Sequence, residues 1–354
     1  MATGGLEGVV AAETVLSHVD GEQGKLIIRG LPLEVIAARG FEPATELLWE
    51  GFIPAEPDEL GRRLGLARQQ AFGRLDQWLP AAQGRTVAEG MRLALATLPD
   101  DADAAEIAAA LPASLAAMLR ARQGLSPLAP DPRERAAADF LRMLRGVPAS
   151  AAEVTVLDTY LAVVIDHGLN ASTFAARVVA STRASLAAAV GAGFAALTGP
   201  LHGGAPGPVL DMLDAIGSPE GIDPWLEAAL ERGERLMGFG HRVYRVRDPR
   251  ADALKAALRR LAPATPRLAF AELVERRALA LLRRHRPGRA LETNVEFYTA
   301  LLLDALGVTR DAMVSVFATS RVAGWIAHAL EQQRTGRIIR PASRYIGPTP
   351  AAAA

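Results

Sequence analysis

Residues 150–182 read SAAEVTVLDTYLAVVIDHGLNASTFAARVVAST, and this stretch decides the fold class. Apolar residues recur along it with the helical period, and the run breaks only at Asp166-His167-Gly168. Downstream the helical pattern persists from Leu186 to Leu197, until Gly199-Pro200 stops it. Helices are expected again over 208–216, 224–234, 249–261, 269–285, 295–306 and 311–333. Upstream, Pro43-Ala44-Thr45-Glu46 opens a helix through Trp49, and Pro57-Asp58-Glu59 opens another to about Leu79. Residues 100–123 and 133–145 are Ala/Leu/Arg helices around the turn-rich stretch Gly124 to Pro132. Only the start differs. Val15 to Val19 and Lys25 to Arg29 read as two short strands around Asp20-Gly21-Glu22-Gln23-Gly24. Leu236 to Asp248 is Gly-rich and irregular, and Arg337 to Gly347 reads as an extended tail. The expectation is a mainly α protein with a small N-terminal β element.

Composition narrows the function. The 354 residues are long enough for a large core and suggest two domains. Half are apolar, with Ala and Leu dominant, which favours helices. Acidic and basic residues balance to zero net charge, so no global field draws nucleic acid or an anionic membrane. The basic residues are Arg except for Lys25 and Lys255. The absence of Cys excludes disulfides, thiolate metal sites and Cys nucleophiles. No signal peptide precedes Val10 and no unbroken apolar run is long enough to span a membrane, so the cytoplasm is the expected location.

Of six histidines, three sit in Gly-bearing breaks between helices: His167, His202 in Gly199-Pro200-Leu201-His202-Gly203-Gly204-Ala205, and His241 in Gly238-Phe239-Gly240-His241-Arg242-Val243-Tyr244. Their gaps of 35 and 39 residues argue against a metal site, which favours paired ligand spacing. Gly191-Ala192-Gly193 lies in helical sequence after no strand, so it reads as close helix packing rather than a dinucleotide fingerprint. His18 reads as a strand-surface residue and His285 as a helix-end residue; His328, on one helix face with Arg321, Gly324 and Trp325, reads as a packing residue, with a supporting role behind the site as the alternative.

The His202 motif, the His241 motif with Asp248-Pro249-Arg250, and Asn294-Val295-Glu296-Phe297-Tyr298 together resemble the catalytic signatures of the citrate synthase family, in order. The start, Gly5 to Thr14, and the end, Arg340-Pro341 to Tyr345-Ile346-Gly347, are similar too, so the resemblance covers essentially the whole chain. It implies a two-domain, all-helical citrate synthase-like fold, with a large domain of 1–205 completed by 311–354 and a small domain of 206–310. The implied activity is a cofactor-free condensation of acetyl-CoA with oxaloacetate to citrate, in the tricarboxylic acid cycle, by a homodimeric transferase. No nucleic acid or membrane partner is implied. By the same resemblance Glu296 is the base, His202 the neutral donor to the enolate oxygen and His241 the proton donor to the keto oxygen. Deprotonating a thioester α-carbon requires such a carboxylate and such a donor. His167, Arg250, Arg321 and, from the other subunit, Arg340 correspond to the keto-acid site. Leu236, Met237, Gly238, Phe239, Gly240 and Arg245 correspond to the CoA site. The N-terminus of the helix opened by Pro208 is expected to depress the His202 pKa.

Two positions depart from the family pattern. Glu296 stands where the family carries Asp, a shift of roughly 1 Å in carboxylate reach. Thr293-Asn294-Val295-Glu296 also fits a capping box, which would give Glu296 a purely structural task. Pro206 replaces an Asn common in relatives. A 2-methylcitrate synthase using propionyl-CoA, or a catalytically weak paralogue that binds CoA or keto acid, are the alternatives.

Overall fold

A computed structural model describes residues 5–6, 8–54, 59–203, 206–261, 265–289 and 291–348. The expected helix opening at Pro57-Asp58, the Gly204-Ala205 end of the His202 motif and Glu7 lie outside these. The 150–182 stretch forms two helices, α8 (Ala151–Val163) and α9 (Ala171–Ser181). Ser150 and Glu153 close a capping box at the start of α8. The Asn170 side chain caps α9 by accepting from the Ser172 and Thr173 N–H groups. Between them Gly168 turns the chain at φ +59°, a left-handed value that favours glycine.

Sixteen α-helices surround one small sheet among the described residues. Strands β1 (Ser17–Asp20), β2 (Lys25–Ile28) and β3 (Leu31–Pro32) form an antiparallel meander, with Ser17 opposite Ile28. The hairpin is as expected; β3, α1 (Leu33–Arg39) and α5 (Val87–Ala96) are additional. The third helix begins at Glu59 and ends at Phe72, with a separate turn at Leu75–Trp78, because Gly73 interrupts the expected run to Leu79.

The long helix α16 (Met313–Thr335) is buried on nearly every side and packs against α6 (Ala104–Arg122), α8, α9 and α10 (Leu186–Leu197). Although Glu106, Ser114, Arg120 and Arg122 interrupt its apolar sequence, α6 is long and apolar enough to cross a membrane by length and mean composition. It is instead a core helix, 89% buried inside the molecule. Burial on all faces explains why it lacks a polar stripe.

The Gly191-Ala192-Gly193 sequence is close packing at one of its two glycines. A Cβ on Gly193 would lie 2.9 Å from the Trp325 ring, whereas Gly191 has nothing within 4 Å. Trp325 cannot retreat easily, being fully buried and bonded through Nε1 to Ser172 Oγ at 3.1 Å. Gly193→Ala is therefore expected to cost about 1–3 kcal/mol through overpacking. Gly191→Ala is expected to be neutral or to stabilise by up to about 1 kcal/mol through helix propensity. Denaturant midpoints of the two variants check this contrast.

Candidate active site

The irregular stretch after Leu236 is fastened to the start of α15 (Val295–Ala305). Gly240 N–H donates to Glu292 O at 2.8 Å, Asn294 N–H to Gly238 O at 2.9 Å, and Asn294 Nδ2 to Gly240 O at 2.8 Å. Gly238, at φ +85°, lies so close to Phe297 that an added Cβ would sit 2.8 Å from its ring. Asp248 makes the second joint. Its Oδ1 accepts from Arg250 N–H and Nε, each at 3.0 Å. Its Oδ2 accepts from Arg250 Nη2 at 2.8 Å and from the Val295 N–H at 3.2 Å. The β1–β2 turn adds a third contact, Arg245 N–H donating to Gly21 O at 2.8 Å.

This frame brings the three loop histidines together. His241 Nδ1 accepts from the Val243 and Tyr244 N–H groups, both at 3.0 Å, so the neutral ring carries its proton on Nε2. That nitrogen lies 3.5 Å from Arg250 Nη2. His167 Nε2 is 3.1 Å from the Tyr244 hydroxyl, and its ring stands edge-on to His241 at 5.4 Å. His202 Nε2 receives the Ser172 N–H at 3.3 Å and lies 2.9 Å from Ser172 Oγ. The backbone proton is fixed, so Nε2 holds the lone pair and Nδ1 the proton.

Burial, reinforced by Arg321 and Arg242, pushes the His202 pKa down to about 4. Ser172 belongs to the first turn of α9, so the N-terminus of that helix faces His202. The helix expected to open at Pro208 is α11 (Pro206–Ile216), which begins at Pro206. Burial and Arg250 likewise bring His241 down to about 4, and burial drives His167 well below the usual histidine range. All three rings are neutral near pH 7.

Glu296 lies in the first turn of α15, half-buried, with its Oε2 shielded from water and without a hydrogen-bond partner among the described residues. Burial raises its pKa to about 7 against the pull of Arg250 and Arg321. The capping-box reading fails. Asn294 is the cap, accepting from Glu296 N–H at 3.0 Å, and Thr293 Oγ1 donates to Glu275 Oε1 at 2.8 Å. Thr293 is thus engaged behind the helix, and the Glu296 carboxylate is free.

Arg250 and Arg321 are buried beside these groups. Arg321 Nε donates to Val164 O at 2.8 Å, its guanidinium lies 4.7 Å from the Phe317 ring, and Nη2 is buried without a partner among the described residues. Burial lowers its pKa to about 10, so it stays cationic. Arg340 is exposed on the extended tail and joins nothing in the cluster within its own chain. Arg245 is also exposed, while Leu236 and Gly238 are buried and Met237, Phe239 and Gly240 half-buried. The cluster thus offers a carboxylate that is basic near neutrality, two neutral imidazole N–H donors and two buried cations. Such a set suits proton removal beside a carbonyl, stabilisation of the oxyanion formed, and capture of an anionic partner.

A profile of the citrate synthase C-terminal domain matches residues 5–342. The chain belongs to the citrate synthase family. It is 38% identical to the citrate synthase of Haloferax volcanii, over 97% of this chain and 95% of that one. It is 34% identical to the 2-methylcitrate synthase of Mycobacterium tuberculosis strain H37Rv, over 97% and 90%. The citrate synthase of Thermoplasma acidophilum, solved as a ternary complex with carboxymethyl coenzyme A and oxaloacetate, superposes with a TM-score of 0.87 at 28% identity, covering 99% and 97% of the chains. As a member of this family the protein is a transferase that catalyses a condensation, converting an acyl group into an alkyl group on transfer.

Sequence reasoning about this citrate synthase family member missed the groups that hold the site. Asp248, Ser172 and Tyr244 all stand within the motifs quoted, but what they bond is visible only in three dimensions. Glu275, remote in sequence, lies behind them and accepts from Arg247, Thr293, Lys255 and Tyr298 at 2.6–2.9 Å. Burial would raise its pKa, but these donors outweigh burial and hold it at about 2.

The raised Glu296 pKa has a stability consequence. A folded pKa above the ordinary 4.5 means its contribution is full below about 4.5 and is lost as pH rises through about 7. Glu296→Gln is therefore expected to be more stable than the parent at pH 8, on the order of 1–3 kcal/mol, with the difference vanishing below pH ~4.5. Urea unfolding of both proteins across this range measures it.

Proposed function

We propose that this protein condenses acetyl-CoA with oxaloacetate to give citrate and CoA. The observation that carries the reading is the isolated carboxylate of Glu296, basic near pH 7, beside two imidazoles whose partners leave N–H donors on Nδ1 of His202 and Nε2 of His241. Glu296 removes a proton from the acyl methyl carbon while His202 Nδ1–H stabilises the forming enolate oxygen. The enolate carbon then attacks the keto carbon of oxaloacetate, and His241 gives its Nε2 proton to the oxygen that becomes the citryl hydroxyl. Water cleaves the citryl thioester and releases CoA.

Arg250, Arg321 and His167 hold the keto acid, because guanidinium forks pair with carboxylates and remain charged. The unpartnered Nη2 of Arg321 supports this role. The Leu236–Gly240 backbone and Arg245 take CoA. The family resemblance and the bound carboxymethyl coenzyme A and oxaloacetate of the Thermoplasma acidophilum relative support these substrates. Propionyl-CoA is the second reading, favoured by the likeness to a 2-methylcitrate synthase.

Free-thiol release with oxaloacetate and either thioester tests the reading. Turnover of acetyl-CoA at least as efficient as propionyl-CoA is expected, since one methylene is typically worth about 1–3 kcal/mol. A preference of more than roughly tenfold for propionyl-CoA would establish the methylcitrate reading instead. Glu296→Gln should lose most turnover while binding oxaloacetate nearly as well, as expected when only the transition state loses its base. Wild-type turnover in that variant would reject Glu296 as the base.

The protein works as a homodimer in this proposal, with Arg340 completing the partner's keto-acid site. The exposed, extended segment from Gly336 with its exposed Ile338, Tyr345 and Ile346 supports this. Inactive Arg340→Ala and inactive His241→Ala proteins, mixed and allowed to exchange subunits, should recover partial activity. No recovery after proven exchange would put Arg340 outside the partner's site.

A further inference from the structure

The turn that carries His167 is held from behind by a buried polar chain that the reaction itself does not use. Asp166 and His328 are both fully buried. His328 Nδ1 lies 2.9 Å from Arg177 Nη1, and a guanidinium only donates, so Nδ1 accepts and the ring proton sits on Nε2. That Nε2 faces Asp166, 3.3 Å from Oδ1 and 3.4 Å from Oδ2. Asp166 Oδ2 also accepts from the Ser17 hydroxyl of β1 and from the Gly168 N–H at 3.3 Å. Arg177 is fixed in turn by Glu331 and by Gln332 Oε1 at 2.9 Å.

The same face of α16 makes four contacts to this turn and to the end of α8 that leads into it. Ser320 Oγ donates to Leu161 O, Arg321 Nε donates to Val164 O, and His328 reaches Asp166. At Gly324 a Cβ would lie 2.5 Å from Ile165 O and 2.9 Å from Asp166 Oδ1, so only glycine permits the approach. Arg321 and His167 are therefore set by one interface.

We propose that His328 and Asp166 are positioning residues for the keto-acid site, acting as one hydrogen-bonded pair that fixes His167 and Arg321 relative to each other. This takes up the lesser of the two sequence readings of His328, a supporting role behind the site rather than packing alone. The pair touches neither substrate. Its carboxylate closes the turn so that His167 faces Tyr244, and its imidazole transmits the position of α16 to that turn. This inference rests on the proposed use of oxaloacetate.

The test is steady-state kinetics of the full chain carrying His328→Leu, His328→Gln or Ser17→Ala. Misplacing a binding group by a fraction of an ångström is costly, so His328→Leu should raise the KM for oxaloacetate roughly tenfold or more while the acetyl-CoA KM changes less than about twofold. Gln keeps an N–H near the Nε2 position and should recover most of the loss. Should the Leu protein fail to fold, Ser17→Ala removes one hydrogen bond to Asp166 and should raise the oxaloacetate KM alone, by up to about fivefold. Equal changes in both KM values, or a fall in melting temperature with their ratio unchanged, would overturn the proposal. Nitrogen-15 NMR of labelled histidines provides a readout independent of substrate. It should find His328 protonated on Nε2 only, and His167 resonances displaced in His328→Leu or Ser17→Ala but largely restored in His328→Gln. An Nδ1-protonated His328, or unmoved His167 resonances, would overturn the proposal even if the wild-type protein proved not to use oxaloacetate, a result that would separately reject the proposed substrate.

Discussion

The carboxylate of Asp248 accepts four hydrogen bonds, three from Arg250 and one from the first N–H of α15, and the geometry of the site follows from that junction. Arg250 is buried, and a buried cation without a partner is destabilised by several kcal/mol. Asp248 supplies the counter-charge and spends its remaining lone pair on the helix that bears Glu296. The guanidinium and the Glu296 carboxylate are thus positioned by one side chain. The backbone bonds between 238–240 and 292–294 then bring His241 to the same place.

The electrostatic state of the site is a consequence of this packing. Burial takes water from His202 and His241, and the nearby arginines add to its effect, so both rings remain neutral and can donate without losing a proton outright. The same burial acts in the opposite direction on Glu296, raising its proton affinity into the range useful to a base at neutral pH. One low-dielectric pocket therefore produces neutral imidazoles and a carboxyl group with a pKa of about 7, because desolvation disfavours whichever form of each group is charged. The departure from Asp to Glu fits this arrangement, since the longer side chain is neither drawn back into a cap nor paired with an arginine.

The periodic elements were legible in the sequence. Leu186–Leu197 and Pro249–Leu261 end where Gly and Pro signals put their limits, and the break at Asp166-His167-Gly168 separates two helices as expected. What the sequence did not yield were short or unpatterned elements, such as β3 and α1, and the all-round burial of α6, whose periodicity carries no direction. The candidate site was legible as motifs, because loop histidines beside glycines stand out against an Ala/Leu background. The supports were not. Asp166, Asp248, Glu275 and His328 act through partners from 2 to 162 positions away, and no local pattern encodes the distant ones.

The most direct test of this account is the pH dependence of kcat/KM for acetyl-CoA at saturating oxaloacetate. A base with a pKa of about 7 and histidines of about 4 predict a rate that rises tenfold per pH unit up to about pH 7 and then levels, with no second transition between pH 5 and 7. Replacing Glu296 by Asp should move that limb and leave the histidines unchanged. A rate independent of pH from 5 to 8, with chemistry shown to be rate-limiting, would contradict the assignment of Glu296 as a buried base.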